Sequence, residues 1–261
     1  MSRRNNTPAS AEKRKTYILD QLKIKGKVRV AELSHDLGKS EVTIRNDLTQ
    51  LESHGFLERV HGGAIQSQRQ YDYMTNSERM QNYAKEKIDI GRSLADIVQD
   101  GDIIAVNSGT TGFYAVNELA AKQNIKVVTN SIHIAMELND ISGLEIILLG
   151  GSVHTRYPYT HGAVTLSEMS KYSVNKALIS IDGISAEGGL TSLEWEEAPL
   201  CRLMMERAEM SIAIGDLRKV GHVSFSRICS VEEINLLVTN EGADEKELRD
   251  LHSSGIRIIK A

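Results

Sequence analysis

The sequence predicts an α/β protein in two parts: a small helical unit closed by a β-hairpin, then a larger, mostly parallel α/β sheet domain. Three observations carry this. Up to Ile65, apolar residues recur at helical spacing and end in a Gly-rich hairpin pattern. From Gly101 onward, short runs of Ile, Leu and Val alternate with helical stretches. Charge is also divided: twelve Lys or Arg stand against eight Asp or Glu up to Ile65, and 19 against 27 after it, in a 261-residue chain of net charge -4. The length accommodates a small domain and a substantial core. A basic head suits approach to a polyanion, although a surplus of this size is also what an ordinary solvated face carries.

In the head, Ala11 to Ile24 sets Tyr17, Ile18, Leu19 and Leu22 on one side, with Lys13, Arg14 and Lys15 outside, which predicts an amphipathic helix stopped by Gly26. Lys27 to Val30 reads as a short extended link. Ala31 to Leu37 reads as two helical turns with Leu33 and Leu37 inward, broken by Gly38. Ser40 is an N-cap for a third helix, because its hydroxyl can accept from a first-turn N–H. Ile44, Leu48 and Leu51 follow at i, i+4 and i+7, leaving Val42, Thr43, Arg45, Asn46 and Thr49 on the other sides. Gly55 ends that helix, and Phe56 to Val60 with His61, Gly62, Gly63 and Ala64 predicts a hairpin.

Helix, helix, turn, helix, hairpin is a winged helix-turn-helix, which places its third helix in the major groove of double-stranded DNA and its wing on the flanking backbone. Arg45 suits guanine and Asn46 adenine, each bidentately. Ser40, Thr43, Arg59 and His61 suit phosphates, with Val42 and Thr49 beside them. The alternative is that these side chains are only the wet face of a helical packing module.

Residues 1–65 are thus read as the DNA-binding domain, the polar stretch 66–82 as a linker, and 83–261 as a sensing domain. Cys201 and Cys229 form no C-x-x-C pair, which fits a reducing cytoplasm and supports neither a disulfide framework nor a thiolate zinc site. The polar start of the chain resembles no signal peptide, and no run of about 18 apolar residues marks a membrane span. His133, His154, His161 and His222 lack a metal-ligand spacing and read as structural or pocket-wall residues, so no metal and no cofactor are expected.

Candidate strands in the body are Ile103–Asn107, Lys126–Thr129, Leu144–Leu149, Lys176–Ile181, Met210–Ile214, Glu233–Val238 and Ile256–Ile259. Near-continuous apolar runs fit a parallel sheet covered on both faces. Ligands in such sheets collect at the carboxyl ends of strands. There this chain carries Asn107-Ser108-Gly109-Thr110-Thr111, Thr129-Asn130-Ser131, Gly150-Gly151 and Asp182-Gly183. The first of these opens a helix, so its N–H groups and hydroxyls can cradle a phosphate. Lys219, in Gly215 to Gly221, can neutralise it as a point charge. The alternatives are tight turns that need small residues, and a surface loop with a weak ion pair.

The stretch from Ser40 to Ala64, S-E-V-T-I-R-N-D-L-T-Q-L-E-S-H-G-F-L-E-R-V-H-G-G-A, resembles the signature of the DeoR family, with Asn46 where members usually carry a second Arg. The body resembles the same family through N-S-G-T-T, V-V-T-N-S, L-L-G-G, the G-A at Gly162, I-D-G-I-S-A-E-G-G-L-T-S and the Lys219 loop. Members often begin the first motif with Asp and write the last loop D-S-S-K, where this chain has Asn107 and D-L-R-K. The segment from Ser192 to Glu209 is most similar to the AgaR-like amino-sugar branch. The resemblance implies a sugar-phosphate sensor domain similar to ribose-5-phosphate isomerase. It further implies a homodimer or homotetramer, and a phosphorylated sugar, leading toward amino sugars, that controls DNA affinity.

Two other functions remain open at this point. A sugar-phosphate isomerase would need a carboxylate to move a proton, and Asp182, Glu196, Glu197 and Asp216 are available, although no spacing marks a catalytic pair. A scaffold would use the head to bind a protein, and its association would respond weakly to salt.

Overall fold

The structure is a computed structural model that describes residues 11–66 and 74–261. The chain divides into two compact units, Met1–Tyr83 and Ala84–Ala261.

The first unit contains α1 (Ala11–Lys25), β1 (Lys27–Arg29), α2 (Val30–Leu37), α3 (Glu41–Ser53), β2 (Leu57–Val60) and β3 (Gly63–Gln66). Its strands pair antiparallel in the order β1-β3-β2. The apolar positions chosen by helical period form the core: Ile18, Leu22, Leu33, Ile44, Leu48 and Leu51 are all buried, and Leu37 packs at the edge. The expected link before α2 pairs as β1, and Val30 becomes a buried anchor at the start of α2. Gly63 is required where β1 and β3 approach, since a Cβ there would lie 2.1 Å from the Val28 carbonyl oxygen.

Part of the expected linker, 67–73, lies outside the described residues. Beyond it, Asn76–Gln81 of the stretch read as a linker is a short helix, α4. Thr75 and Glu78 explain this, because their side chains and backbones cap one another reciprocally and satisfy first-turn N–H groups.

The second unit runs α5 (Ala84–Ala95), β4 (Ile103–Val106), α6 (Thr110–Glu118), β5 (Ile125–Thr129), α7 (Ile132–Glu137), β6 (Leu144–Leu148), β7 (Ser152–Val153) and β8 (Thr160–His161). It continues with α8 (Ala163–Met169), β9 (Val174–Ser180), β10 (Gly183–Ser185), β11 (Gly189–Ser192), α9 (Ala198–Glu206) and β12 (Ala208–Ile214). β13 (Ser226–Cys229), β14 (Leu236–Thr239), α10 (Glu245–Ser253) and β15 (Arg257–Lys260) complete it. The seven apolar runs read from the sequence all enter one parallel sheet, ordered β15-β14-β12-β9-β4-β5-β6. The run expected to begin at Glu233 begins instead at Leu236, because Val231–Glu233 is a 3₁₀ turn capped by Ser230. Two small antiparallel pieces, β7-β8 and β10-β11-β13, carried too few residues to show a period in the sequence.

Strand residues alternate between two cores. Ala105, Val128, Ala177, Ile179, Ala213 and Leu237 pack under α8, α9 and α10, whereas Ile104, Val106, Val127, Leu178, Ile212 and Ile214 pack under α5, α6 and α7. Strand order runs outward from β4 through β5 and β6, and in the opposite direction from β9 through β12. The crevice beyond the carboxyl ends of β4 and β9 is therefore the topological switch point, where open α/β sheets bind ligands.

Candidate functional site

In the first unit, Ser40 caps α3 by accepting from the Thr43 N–H at 3.3 Å. The buried stripe turns Val42, Arg45, Asn46 and Thr49 outward, with Val42 67% exposed and Thr43 half-buried. Arg45 lies across Glu41 at 2.9 Å, so its guanidinium must exchange that exposed partner for a base. Arg59 on β2 donates to Thr49 at 2.8 Å and thereby ties the wing to α3. His61 is exposed in the hairpin turn, where Gly62 takes φ of +78°. Seven of the eight candidate DNA contacts are thus exposed and Thr43 is half-buried, with hydrogen bonds linking Ser40 to Thr43 and Thr49 to Arg45 and Arg59.

Sequence reading missed how that helix is held. Asp47 turns inward, is 4% exposed, and takes two hydrogen bonds from Arg14 of α1, at 2.8 and 3.1 Å. The signal was present, since Asp47 sits three residues after Ile44 on the buried stripe and a buried carboxylate needs a cation.

In the second unit, Asn107 braces the switch point. Its side-chain amide donates to the Ser180 carbonyl at 3.0 Å and accepts from the Ser180 N–H at 2.8 Å, joining the ends of β4 and β9. Gly109 follows as the N-cap of α6, where a Cβ would meet the Ser180 side chain at 2.1 Å. Ser108 donates from both its N–H (2.9 Å) and its hydroxyl (2.6 Å) to Glu197, which also takes the Asn130 amide at 3.3 Å. An internal carboxylate therefore occupies the first donors of the turn. The first-turn N–H groups of Thr110 and Thr111 have no acceptor within the helix and project from its positive end.

Asp182 accepts from the Leu193 N–H and lies 3.5 Å from Lys219, which is 3% exposed. Burial pushes the Glu197 carboxyl upward, Ser108 and Asn130 oppose this, and nearby Asp182 adds to it, leaving Glu197 above the usual carboxylate range. Asp216 is the reverse case. Burial would raise it, but the charge of Arg218 and two 2.8 Å hydrogen bonds from it, with Lys219 and Lys87 nearby, hold it well below that range.

The remaining candidates serve the scaffold at their visible contacts. Thr129 accepts from Ser131, and Ser131 caps α7. The Gly150 N–H donates to Glu168, and Gly151 packs against Thr165. Gly162 takes φ of +96° to open α8, and Gly183 lies under the His222 carbonyl. Glu197, read from the sequence only as a spare carboxylate, is the residue that joins Ser108 to Asn130; Ser180 was not read at all. Among the described residues, no group of three or more His, Cys, Asp or Glu is placed to hold a metal ion.

A winged helix with an exposed polar reading face, carried in one chain with an α/β unit bearing a switch-point crevice, defines a ligand-responsive transcriptional regulator. Comparison with known proteins gives the family. The DeoR-like helix-turn-helix domain matches residues 14–70 and the DeoR C terminal sensor domain matches residues 82–241, so the chain belongs to the DeoR family. It is 33% identical to the HTH-type transcriptional repressor GlcR of Bacillus subtilis, covering 95% of each chain. It is 28% identical to the putative aga operon transcriptional repressor of Escherichia coli O157:H7, covering 98% of each. Among solved structures, ribose 5-phosphate isomerase from Plasmodium falciparum is similar over 52% of each chain with a TM-score of 0.38 and 15% identity, too distant to bear on activity.

Proposed function

We propose that this regulator represses a carbohydrate-utilisation operon, and that a phosphorylated sugar bound at the switch point of residues 83–261 sets the affinity of residues 1–65 for a double-stranded DNA operator. The observation that supports this reading best is the meeting of the α6 N-terminus, the Asn107–Ser180 brace and buried Lys219 at the ends of adjacent strands. A helix N-terminus favours an anion through aligned N–H groups. Lys219 brings a buried cation to the same end of the sheet, where it also faces Asp182 at 3.5 Å. The relatives named as repressors support the direction of control. Cytoplasmic location and a homodimer or homotetramer complete the proposal, since a two-fold assembly presents two reading helices to half-sites about 34 Å apart or a multiple of that.

A coupling of about 1–3 kcal/mol changes operator affinity roughly 5- to 150-fold, enough for a switch. Thermal unfolding of the full chain against matched pairs of sugars and their phosphates tests the ligand class, because a ligand of the folded state raises Tm. Phosphorylated members should raise Tm and free sugars should not; equal shifts would overturn the phosphate site. The same sugars followed by NMR should show no interconversion, and turnover would restore the isomerase reading.

A further inference from the structure

One exposed residue of the reading helix has no hydrogen bond to give. At about 3.6 residues per turn, Val42, Asn46 and Thr49 line the side of α3 opposite the buried Ile44, Asp47, Leu48 and Leu51. Val42 stands in the first turn, the end of a recognition helix that meets base edges. It is 67% exposed and lies outside the packed core of its unit. A β-branched side chain loses rotamer freedom in a helix, and no burial offsets that loss here. A lone exposed valine is ordinary on a protein surface. This one is set apart by its neighbours, whose side chains are polar and mostly engaged with one another.

Ser40 Oγ lies 3.0 Å from Thr43 Oγ1, and Arg45 is drawn to Glu41 at 2.9 Å. The Thr49 hydroxyl donates to the Arg45 carbonyl at 2.9 Å and accepts from Arg59 at 2.8 Å. Arg45 and Arg59 bring positive charge to the flanks of the row, which suits a polyanionic duplex. Along the row itself Asn46 offers hydrogen bonds and Val42 offers apolar surface alone. On the floor of the major groove every base edge presents donors or acceptors, and the one apolar group is the C5 methyl of thymine. Against a donor or acceptor, Val42 displaces water and returns no hydrogen bond, which is unfavourable. Against the methyl it buries apolar surface on both partners. Asn46 stands one turn further along the same row, about 6 Å away between Cβ atoms, or roughly two base steps of about 3.4 Å. The thymine in reach is therefore a near neighbour of the adenine suited to Asn46.

We propose that Val42 is a specificity-determining residue that reads the C5 methyl of one thymine beneath each reading helix, within about two base pairs of the adenine met by Asn46. This rests on the reading of residues 1–65 as the DNA-binding domain. The probe is the duplex that the full chain enriches most strongly from a randomised library. Each of its thymines is replaced in turn by deoxyuridine, which removes the methyl and leaves every hydrogen-bonding group in place. Anisotropy titration should show one thymine beneath each helix where the replacement weakens binding about fourfold, the value of burying one methyl group. With Val42→Ala the same replacement should have no effect. Val42→Thr keeps one methyl at the branch point and should retain part of it. At that position the unsubstituted chain should also prefer 5-methylcytosine to cytosine. Val42→Ala should not lower the thermal unfolding midpoint, since the side chain lies outside the core. A lack of any methyl-sensitive thymine, a sensitivity undiminished in Val42→Ala, or a Val42→Ala chain that binds thymine and deoxyuridine duplexes more weakly by the same factor would overturn the methyl contact while leaving operator binding standing. Enrichment of no duplex would overturn both.

Discussion

The two units place their functional groups in opposite ways. In the first, Ser40, Val42, Thr43, Arg45, Asn46, Thr49, Arg59 and His61 are neighbours along one helix and its hairpin, and nearly all are exposed. In the second, Asn107, Asn130, Ser180, Asp182, Glu197 and Lys219 come from four strand ends and a helix start, and most are buried. A DNA duplex is a large polyanion that a surface can meet from outside, so its readers need only project. A small anion must be stripped of water and surrounded, so its binding groups are drawn from several segments and held in advance. Changes to the first set, the helix cap Ser40 apart, should therefore alter binding without stability, and changes to the second should alter both.

The largest expected effect falls on an exception to that contrast. Arg14→Met strands the buried Asp47 carboxylate and should cost about 3 kcal/mol, the lower end for breaking a buried pair, because Arg14 keeps 13% of its side-chain surface in water. Denaturant unfolding measures it, and an unchanged midpoint would show the pair to be surface decoration. Gly109→Ala comes next. Its Cβ would fall 2.1 Å from Ser180, so about 1–3 kcal/mol should be lost together with phosphosugar binding. Retention of both would separate the turn from the site.

Arg45→Ala should cost about 1–3 kcal/mol of operator discrimination in a gel-shift or anisotropy titration. Stability should barely move, since its Glu41 partner is exposed. A uniform loss on all duplexes would reassign Arg45 to a phosphate. Ser40→Ala removes the α3 cap and should cost about 1 kcal/mol of stability, read by thermal unfolding.

The smallest effect is a sign, and it opposes two carboxylates of the second unit. Glu197 titrates above its ordinary value of 4.5 in the folded chain, so above that pH the folded state binds more protons than the unfolded one and stability declines as pH rises. Asp216 titrates below its ordinary 3.8, so its contribution is present above that pH and is lost as pH falls below it. Glu197→Gln should flatten the decline above about pH 4.5 and leave the acid limb in place. A profile unchanged by the substitution would place the Glu197 carboxyl in water.

How much could be read in advance follows the same division. The first unit was legible because Ile44, Leu48 and Leu51 fix one face of α3 and thereby assign the other to Arg45, Asn46 and Thr49. The seven strands were legible because each is a short apolar run. The crevice was only half legible. Asn107, Ser108 and Asn130 stand at strand ends where small polar residues attract notice, whereas Glu197 lies in an acidic stretch that reads as solvated, and Ser180 ends an apolar strand with nothing to mark it. Thr129, Ser131 and Gly150 looked the same as Ser108 in the sequence but spend the polar groups seen here on capping and on Glu168.

The sequence by itself determined the element types, the buried stripes and the polar reading face of α3, because helical and strand periods are local and a side chain's face follows from its position in the period. Tertiary structure alone decided that β4 and β9 are neighbours, that Glu197 enters the Ser108 turn, and that His154 faces Glu194 and Glu196. Those pairings join residues tens of positions apart, and only the packing of helices onto a particular strand order brings them together.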